Sequence, residues 1–279
     1  MYVLFAALSA LFYGVADFAG GFATRRSALL SVLALSQFAG ITLALVFILA
    51  GDPGPPSASA LLWGFLAGAT GLVGLFTLYH GIATGIVAVV SPTSALVSAL
   101  IPAIFGIVLG ERPSPLSLVG AVLCLPAMLL LSWEPRGAVD PARMRKSIVL
   151  GLVAGTGFGC FFIALSRTGA EAGLWPVFAA RVASLLLIFG YARARRQSLR
   201  PSRAGVGAAL AAGMADMGAN ILFLLATRSG LLSIVSIISS LFPAPTVILA
   251  RVFMKEALPP VRIAGLILAL AGVALISLK

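Results

Sequence analysis

The 279-residue chain is too apolar to fold in water, because 61% of its residues are hydrophobic and only 10% are charged. A soluble domain carries roughly 25% charged residues. The mean hydropathy of +1.13 therefore indicates that the bilayer is its solvent. The net charge of +11 comes from basic residues in short gaps between apolar segments. That pattern is typical of a protein facing anionic lipid, and we expect no nucleic-acid partner.

Ten apolar segments follow one another along the chain. A membrane-spanning helix needs roughly 17 to 25 mostly apolar residues. The predicted spans lie near 2–21, 30–50, 60–79, 86–109, 115–132, 147–166, 174–192, 204–226, 231–253 and 261–278. No Lys or Arg precedes Tyr2, so the first segment is predicted to be a retained span rather than a cleaved signal. The sequence thus predicts an all-α membrane protein with ten transmembrane helices.

The two halves of the chain match when they are shifted by 145 residues. The matching pairs are Gly14 and Gly159, Gly68 and Gly213, Gly85 and Gly230, Ser91 and Ser236, Glu111 and Glu256, Pro115 and Pro260, and Gly120 and Gly265. Each copy holds five spans, an odd number, so the copies are predicted to lie in opposite orientations. We predict a first repeat at 1–133, a connecting loop at 134–146 and a second repeat at 147–279.

The basic residues in the loops and at the ends of the spans collect on one face of the membrane. One set of alternate loops carries 14 of them: Arg25, Arg26, Arg136, Arg143, Arg145, Lys146, Arg193, Arg195, Arg196, Arg200, Arg203, Arg251, Lys255 and Arg262. The other face carries four: Arg112, Arg167, Arg228 and Lys279. The positive-inside rule places the basic face in the cytoplasm and both termini outside.

Two charged residues inside the spans are predicted to meet at mid-depth. Arg181 is twelve residues before position 193 and Asp216 is twelve after position 204, at the two ends of one basic loop. At about 1.5 Å per residue, both lie about 18 Å from that loop on adjacent helices. Asn220 is one turn beyond Asp216 and shares its face. We predict an ion pair that either neutralises itself within the protein or lines a cavity and binds a zwitterionic or charged solute.

Other polar residues in the spans extend this candidate site. Tyr13 and Gln37 are further candidates for lining a cavity. With one histidine in the chain, a His-metal cluster is excluded, and we expect no metal or other cofactor. No catalytic set, phosphate loop or dinucleotide fingerprint is present, so we expect no enzyme.

Prolines interrupt the fourth and ninth spans, which are counterparts in the two repeats. Pro92 and Pro102 lie in the fourth, and Pro243 and Pro245 lie in the ninth. Each removes a backbone donor and bends its helix, either at a gate or merely for packing. After these spans come Glu111 and Glu256, which we expect to complement the positive ends of the helices that follow them.

These motifs resemble the EamA family of the drug/metabolite transporter superfamily. The residues that carry the resemblance are Ser91-Pro92-Thr93, Pro102, Gly110-Glu111-Arg112 and Gly120, then Ser240-Leu241-Phe242-Pro243, Arg251, Glu256 and Gly265, with the aromatic-glycine pairs Tyr13-Gly14 and Phe158-Gly159. The resemblance implies two inverted five-helix repeats around a cavity reached alternately from either side. For ten-helix members the resemblance implies that both termini lie inside. The charge count predicts the opposite orientation, and we favour the charge count.

The related small multidrug resistance proteins carry a coupling carboxylate in their first helix, which makes Asp17 a coupling candidate. Our preferred alternative is an interfacial carboxylate near Arg25 and Arg26.

We therefore expect a secondary transporter, independent of ATP, that moves a small organic metabolite, amino acid or drug across the inner membrane by alternating access. A translocase of a lipid-linked metabolite is the alternative, and would show a laterally open cavity with basic residues at one mouth. An intramembrane enzyme acting on lipid intermediates is a third. The expected partners are the solute, the lipid bilayer and a coupling ion such as a proton, with the protein a monomer or weak dimer.

Overall fold

The protein is built from α-helices. The computed structural model describes residues 1–51, 56–133, 140–255 and 258–278. Its helices are α1 (Tyr2–Thr24), α2 (Leu29–Gly51), α3 (Ala58–Thr84), α4 (Val87–Val108), α5 (Pro115–Leu131), α6 (Pro141–Ser166), α7 (Trp175–Ala194), α8 (Arg203–Ser229), α9 (Leu232–Ser239), α10 (Pro243–Met254) and α11 (Pro260–Ser277). A short 3₁₀ turn, Ala170–Ala172, joins α6 to α7.

The described helices account for the ten predicted spans. Nine segments within the described residues are long and apolar enough to cross a membrane, and the shorter apolar helix Pro115–Leu131 supplies the remaining span. The ninth span differs from the prediction because it is broken into α9 and α10 at residues 240–242. Its counterpart α4 continues as one helix through Pro92 and Pro102. The chain is an all-α, multi-pass membrane protein.

Local capping sets where several helices begin. The Asp140 side chain accepts hydrogen bonds from the backbone N–H groups of Ala142 and Arg143, at 3.2 and 3.3 Å, and Pro141 occupies the first turn. This capping starts α6 at Pro141, six residues before the predicted span and inside the predicted connecting loop. Of that loop, residues 134–139 lie outside the described part of the chain.

Contacts that recur under the 145-residue shift reveal the relation between the two halves. Gly85 lies against the side chain of Ser147, and the shifted pair, Gly230 and Tyr2, also lies in contact. In each half the first helix packs against the third helix of the other half, as α1 does with α8 and α6 with α3. Because α1 and α6 cross the membrane in opposite directions, the two repeats are inverted.

Glycines allow the helices of the two halves to approach closely. A Cβ atom added to Gly68 on α3 would collide with the backbone of Ala180 on α7. Its counterpart, Gly213 on α8, faces the backbone carbonyl of Ser36 on α2 in the same manner. Such small residues drive helix association in a bilayer, where apolar burial alone does not. These two crossings hold α7 and α8 in place and thereby fix the depth of Arg181 and Asp216.

The helices end alternately on two faces. We call the face that carries Arg25, Arg26 and the 195–202 connection the basic face, and the face that carries both termini the opposite face. The opposite face also holds the connections 109–114, 167–174 and 230–231.

Candidate functional site

A hydrogen-bonded network crosses the centre of the helix bundle. Arg181 on α7 forms an ion pair with Asp216 on α8 and donates a hydrogen bond to Gln37 Oε1 on α2, at 2.7 Å. Asn220, one turn beyond Asp216, donates from its side-chain nitrogen to the Asp216 backbone carbonyl at 2.8 Å. Tyr13 on α1 donates its hydroxyl to Asn220 Oδ1 at 2.6 Å. The structure therefore brings together all five residues predicted to bind a solute.

Burial strengthens this network. The Arg181 side chain is 9% exposed and the Asp216 side chain is 30% exposed. A charge held away from water is costly unless it is paired and hydrogen-bonded, and each of these two charges has both kinds of partner. The partly exposed Asp216 carboxylate gives the network its contact with the open space beside it.

That space is a central cavity of about 70 Å³, enough for a few water molecules. All five residues of the network line it. The rest of the lining is largely aromatic and aliphatic, and includes Phe158, Phe161, Phe162, Phe242, Leu72 and Leu75. The cavity thus combines polar, charged and apolar lining residues. Such a lining matches an organic molecule that carries a polar group and an apolar body.

Asp17 lies at the neck between this cavity and a larger vestibule. The vestibule has a volume of about 580 Å³ and is lined near the basic face by Arg25, Leu29 and Arg262. Asp17 and Phe242 line both spaces, so they form the passage between them. The interpretation of Asp17 as an interfacial carboxylate near Arg25 and Arg26 stays a prediction, and both Asp17 and Arg25 line the vestibule. Within the described chain the half-buried Asp17 carboxylate makes no hydrogen bond or ion pair, and Arg26 instead lies 4.0 Å from the Phe22 ring centre.

Hydrogen bonds link the helices at the opposite face. Arg228, near the end of α8, donates hydrogen bonds to the carbonyls of Gly169 and Gly173 in the α6–α7 connection, at 3.1 and 2.6 Å. Glu111 accepts two hydrogen bonds from the N-terminus of α9. This contact corrects the prediction that Glu111 complements the helix that follows it, because Ser114 caps that helix, α5. Glu256, for which the same role was predicted, lies outside the described residues.

Sequence reasoning missed the apolar half of the site. Phe161 and Phe162 line the cavity, yet nothing distinguishes them in the sequence from the other apolar residues of their spans. Phe242 also lines it and did carry a signal, since it belongs to the motif Ser240-Leu241-Phe242-Pro243. Phe158 did carry a signal, since it belongs to the aromatic-glycine pair that the second repeat shares with the first. Ser184, which lines the cavity and donates a hydrogen bond to the Gly68 carbonyl at 3.0 Å, lies one turn from Arg181 and was detectable by that spacing.

The fold and the site define a polytopic membrane protein with inverted repeats, a central polar cavity and a larger vestibule near the basic face. The family model of the EamA-like transporter family matches residues 1–133 and 171–278. The chain belongs to this family, consistent with the drug/metabolite transporter superfamily that the motifs indicated.

Comparison with solved structures supports the same fold. A protein of known crystal structure, 18% identical in sequence, superposes with a TM-score of 0.81 over 98% of this chain and 95% of that chain. At this level of identity the likeness shows the fold alone. No curated protein matches the chain in sequence.

Proposed function

We propose that this protein is a secondary transporter that moves a small organic solute by alternating access and binds that solute in the central cavity. The observation that carries the proposal is that the Arg181–Asp216 network and a set of aromatic residues line one central cavity. Transporters of inverted-repeat design place their solute site near the bilayer midplane, between the repeats. The network draws on both repeats, because Tyr13 and Gln37 come from the first half and Arg181 from the second, and the residue count along α7 and α8 predicts the same mid-depth.

The charges lining the cavity favour a solute with a positive group. One arginine and two aspartates line it, so its formal charge is −1 when all three are ionised. Asp216 already neutralises Arg181, which leaves Asp17 at the neck to attract a cation. We propose a zwitterionic or cationic solute with an apolar or aromatic body. The protonated Asp17 carboxylate is the alternative neutral state, and Asp17 remains our candidate for coupling transport to a proton.

A binding screen tests this function. Purified protein is heated with amino acids, sugars, nucleosides and amphipathic organic cations, and unfolding is followed for each. A ligand that binds only the folded protein raises its apparent stability, by about 2.7 kcal/mol at a hundredfold excess over its Kd. We expect at least one amphipathic amine or amino acid to stabilise the wild type. Asp17→Asn should weaken that stabilisation, whereas Asp140→Asn, at a helix cap outside both cavities, should leave it unchanged.

The vestibule supports a second candidate, the translocase of a lipid-linked metabolite. Its mouth on the basic face carries Arg25 and Arg262, and it offers far more space than the central cavity. When anionic lipid-linked compounds are added to this screen, a translocase would be stabilised by them. Arg25→Gln would abolish that stabilisation and Asp216→Asn would not. For a transporter of a small solute, Asp216→Asn would abolish the stabilisation by the solute and Arg25→Gln would not.

The gating prolines give a further prediction. Pro243 begins α10 directly after the break in the ninth span, and Pro245 lies against Gly14 on α1. On the other repeat, Pro102 lies near Gly159 on α6. We propose that Pro92, Pro102, Pro243 and Pro245 are bending points of the two gating helices, with Pro243 holding Phe242 at the neck. Pro243→Ala should let α9 and α10 join and should lower solute uptake severalfold in proteoliposomes.

The matched control for this change is Pro126→Ala. Pro126 is also inside a helix, α5, but its side chain is exposed and lines neither cavity. It should transport normally, and all variants should keep the thermal stability of the wild type to within a few degrees. Normal uptake by the alanine variants of all four prolines would show that the bends serve packing only.

Localisation in the inner, or plasma, membrane is part of the proposal. The accumulation of basic residues on one face fits insertion into a membrane with an anionic cytoplasmic leaflet. A reporter active only in the cytoplasm, fused after Lys279, should be inactive if the basic face lies inside.

A further inference from the structure

The α4–α5 connection carries a carboxylate that reaches across to another helix. The Glu111 carboxylate accepts hydrogen bonds from the backbone N–H groups of Leu232 and Ser233, at 2.7 and 2.8 Å. These are the first two residues of α9, whose initial N–H groups have no partner within the helix. The negative charge also complements the positive end of the α9 dipole. The contact therefore joins the end of α4 to the start of α9 by two charge-assisted hydrogen bonds.

The chain shapes the end of α4 to place this carboxylate. Gly110 adopts a φ of +95°, in the left-handed region that favours glycine. Its N–H donates to the Ile107 carbonyl, and the Glu111 N–H donates to the Gly106 carbonyl at 3.0 Å, which closes the helix in a Schellman motif. The turn brings the Glu111 carboxylate back over Gly106, where a Cβ atom would collide with it.

Further polar contacts continue this connection toward the cavity. The Ser236 hydroxyl, one turn into α9, lies 3.4 Å from the Ala99 carbonyl on α4. Deeper still, the hydroxyls of Ser98 and Ser240 lie 3.2 Å apart, and Ser98 lines the central cavity. From the opposite face to the cavity, α4 and α9 are therefore held side by side. Beyond the cavity the α10 residues Pro243 and Thr246 line the open vestibule instead.

We infer that the Glu111 carboxylate is a latch that holds the opposite face shut while the basic face is open. Exposing the cavity to the opposite face requires α9 to separate from α4, and that movement breaks both hydrogen bonds to Glu111. The latch is therefore made in one state of the transport cycle and released in the other. It shifts the equilibrium between states by the free energy of its hydrogen bonds. The inference rests on the proposed alternating access, but its test needs no solute.

Thiol labelling in lipid nanodiscs tests the latch, because both faces are then accessible to the reagent. The reporter is Ser236→Cys, which replaces a fully buried residue one turn inward from Glu111. The parent chain, with only Cys124 and Cys160, gives the background labelling. In the reporter chain, Glu111→Gln should raise the labelling rate of Cys at 236 roughly tenfold, since hydrogen bonds to a charged acceptor are among the stronger ones. Gly106→Ala, which displaces the carboxylate but keeps its charge, should act in the same direction.

Two controls separate a latch from general loosening. Asp140→Asn removes another capping carboxylate, but one that bonds only to its own helix, α6, and it should leave labelling unchanged. Ser94→Cys is a second reporter on α4, fully buried and with an unpartnered hydroxyl, whose labelling Glu111→Gln should not raise. The latch is overturned if neither Glu111→Gln nor Gly106→Ala raises labelling at position 236 above the rate of the chain that carries Ser236→Cys alone. An equal rise at 94 and 236, or an equal effect of Asp140→Asn, overturns it as well. Failure of the solute screen alone leaves this result untouched.

Discussion

Removing one charge of the Arg181–Asp216 pair is expected to harm the protein more than removing both. Asp216→Asn leaves the buried guanidinium with Gln37 as its remaining side-chain acceptor, and Arg181→Gln leaves the carboxylate with the Asn220 amide. Breaking a buried pair from one side costs about 3 to 5 kcal/mol. We expect about 3 kcal/mol here, at the low end of that range, because the Asp216 side chain is 30% exposed. Denaturation of the purified variants measures it.

The double variant, Arg181→Gln with Asp216→Asn, distinguishes the two roles of the pair. If the pair only neutralises itself, the double variant recovers both folding and transport. If it binds solute, the double variant folds nearly as well as the wild type but neither binds nor transports, and this is the result we expect. Arg193→Gln, at an exposed arginine near the end of the same helix, controls for loss of positive charge and should behave as the wild type. Single variants as stable as the wild type would contradict the pairing.

The second large effect on stability is expected when a glycine at a close helix crossing is replaced by alanine, which adds one methyl group. A Cβ atom at Gly213 would collide with the Ser36 backbone, and one at Gly68 would collide with the Ala180 backbone. Backbone cannot rotate away as a side chain can, so α8 must separate from α2, or α3 from α7. Overpacking of this kind costs about 1 to 3 kcal/mol, occasionally more. We expect Gly213→Ala and Gly68→Ala each to lose about 3 kcal/mol, seen as a fall in folded yield and thermal stability.

The control for this prediction lies on the same helix as Gly213. A Cβ atom at Gly207 meets nothing within 4 Å. Gly207→Ala should therefore keep the stability of the wild type or raise it, since alanine favours a helix by up to about 1 kcal/mol over glycine. If Gly213→Ala and Gly207→Ala gave the same stability, the close crossing would not contribute to holding α8 in place.

Much of the fold could be predicted because the bilayer imposes simple rules on the sequence. Spans must be long and apolar. The second repeat, 145 residues after the first, must lie inverted relative to it, because each repeat has five spans. The depth of Arg181 and Asp216 followed from counting residues from one loop, so their meeting was also predictable. Asn220 followed from its spacing of one helical turn. These inferences depend on distances along a single helix or between neighbouring helices.

The features that could not be predicted depend on contacts between distant helices. Glu111 precedes α5 in sequence, and nothing local shows that its carboxylate reaches the N-terminus of α9, 121 residues away. The position of Asp17 beside both spaces depends on how α1 packs against α8 and α10, which are distant in the sequence. The ninth span is broken whereas its proline-containing counterpart α4 is continuous, so prolines alone do not determine where a helix breaks. Two aromatic residues of the cavity lining, Phe161 and Phe162, look in sequence like any residue that faces lipid.

Solute counterflow tests the central claim most directly. Proteoliposomes are loaded with the best-binding solute of the screen, diluted into buffer with a trace of the labelled solute, and followed over time. The wild type should accumulate label transiently above the external concentration, as a carrier with alternating access does without ATP. The Arg181→Gln, Asp216→Asn double variant, folded and at equal density, should accumulate no more than protein-free liposomes. Counterflow by the double variant at the wild-type rate, or none by the wild type itself, would contradict the assignment of the central cavity as the transport site.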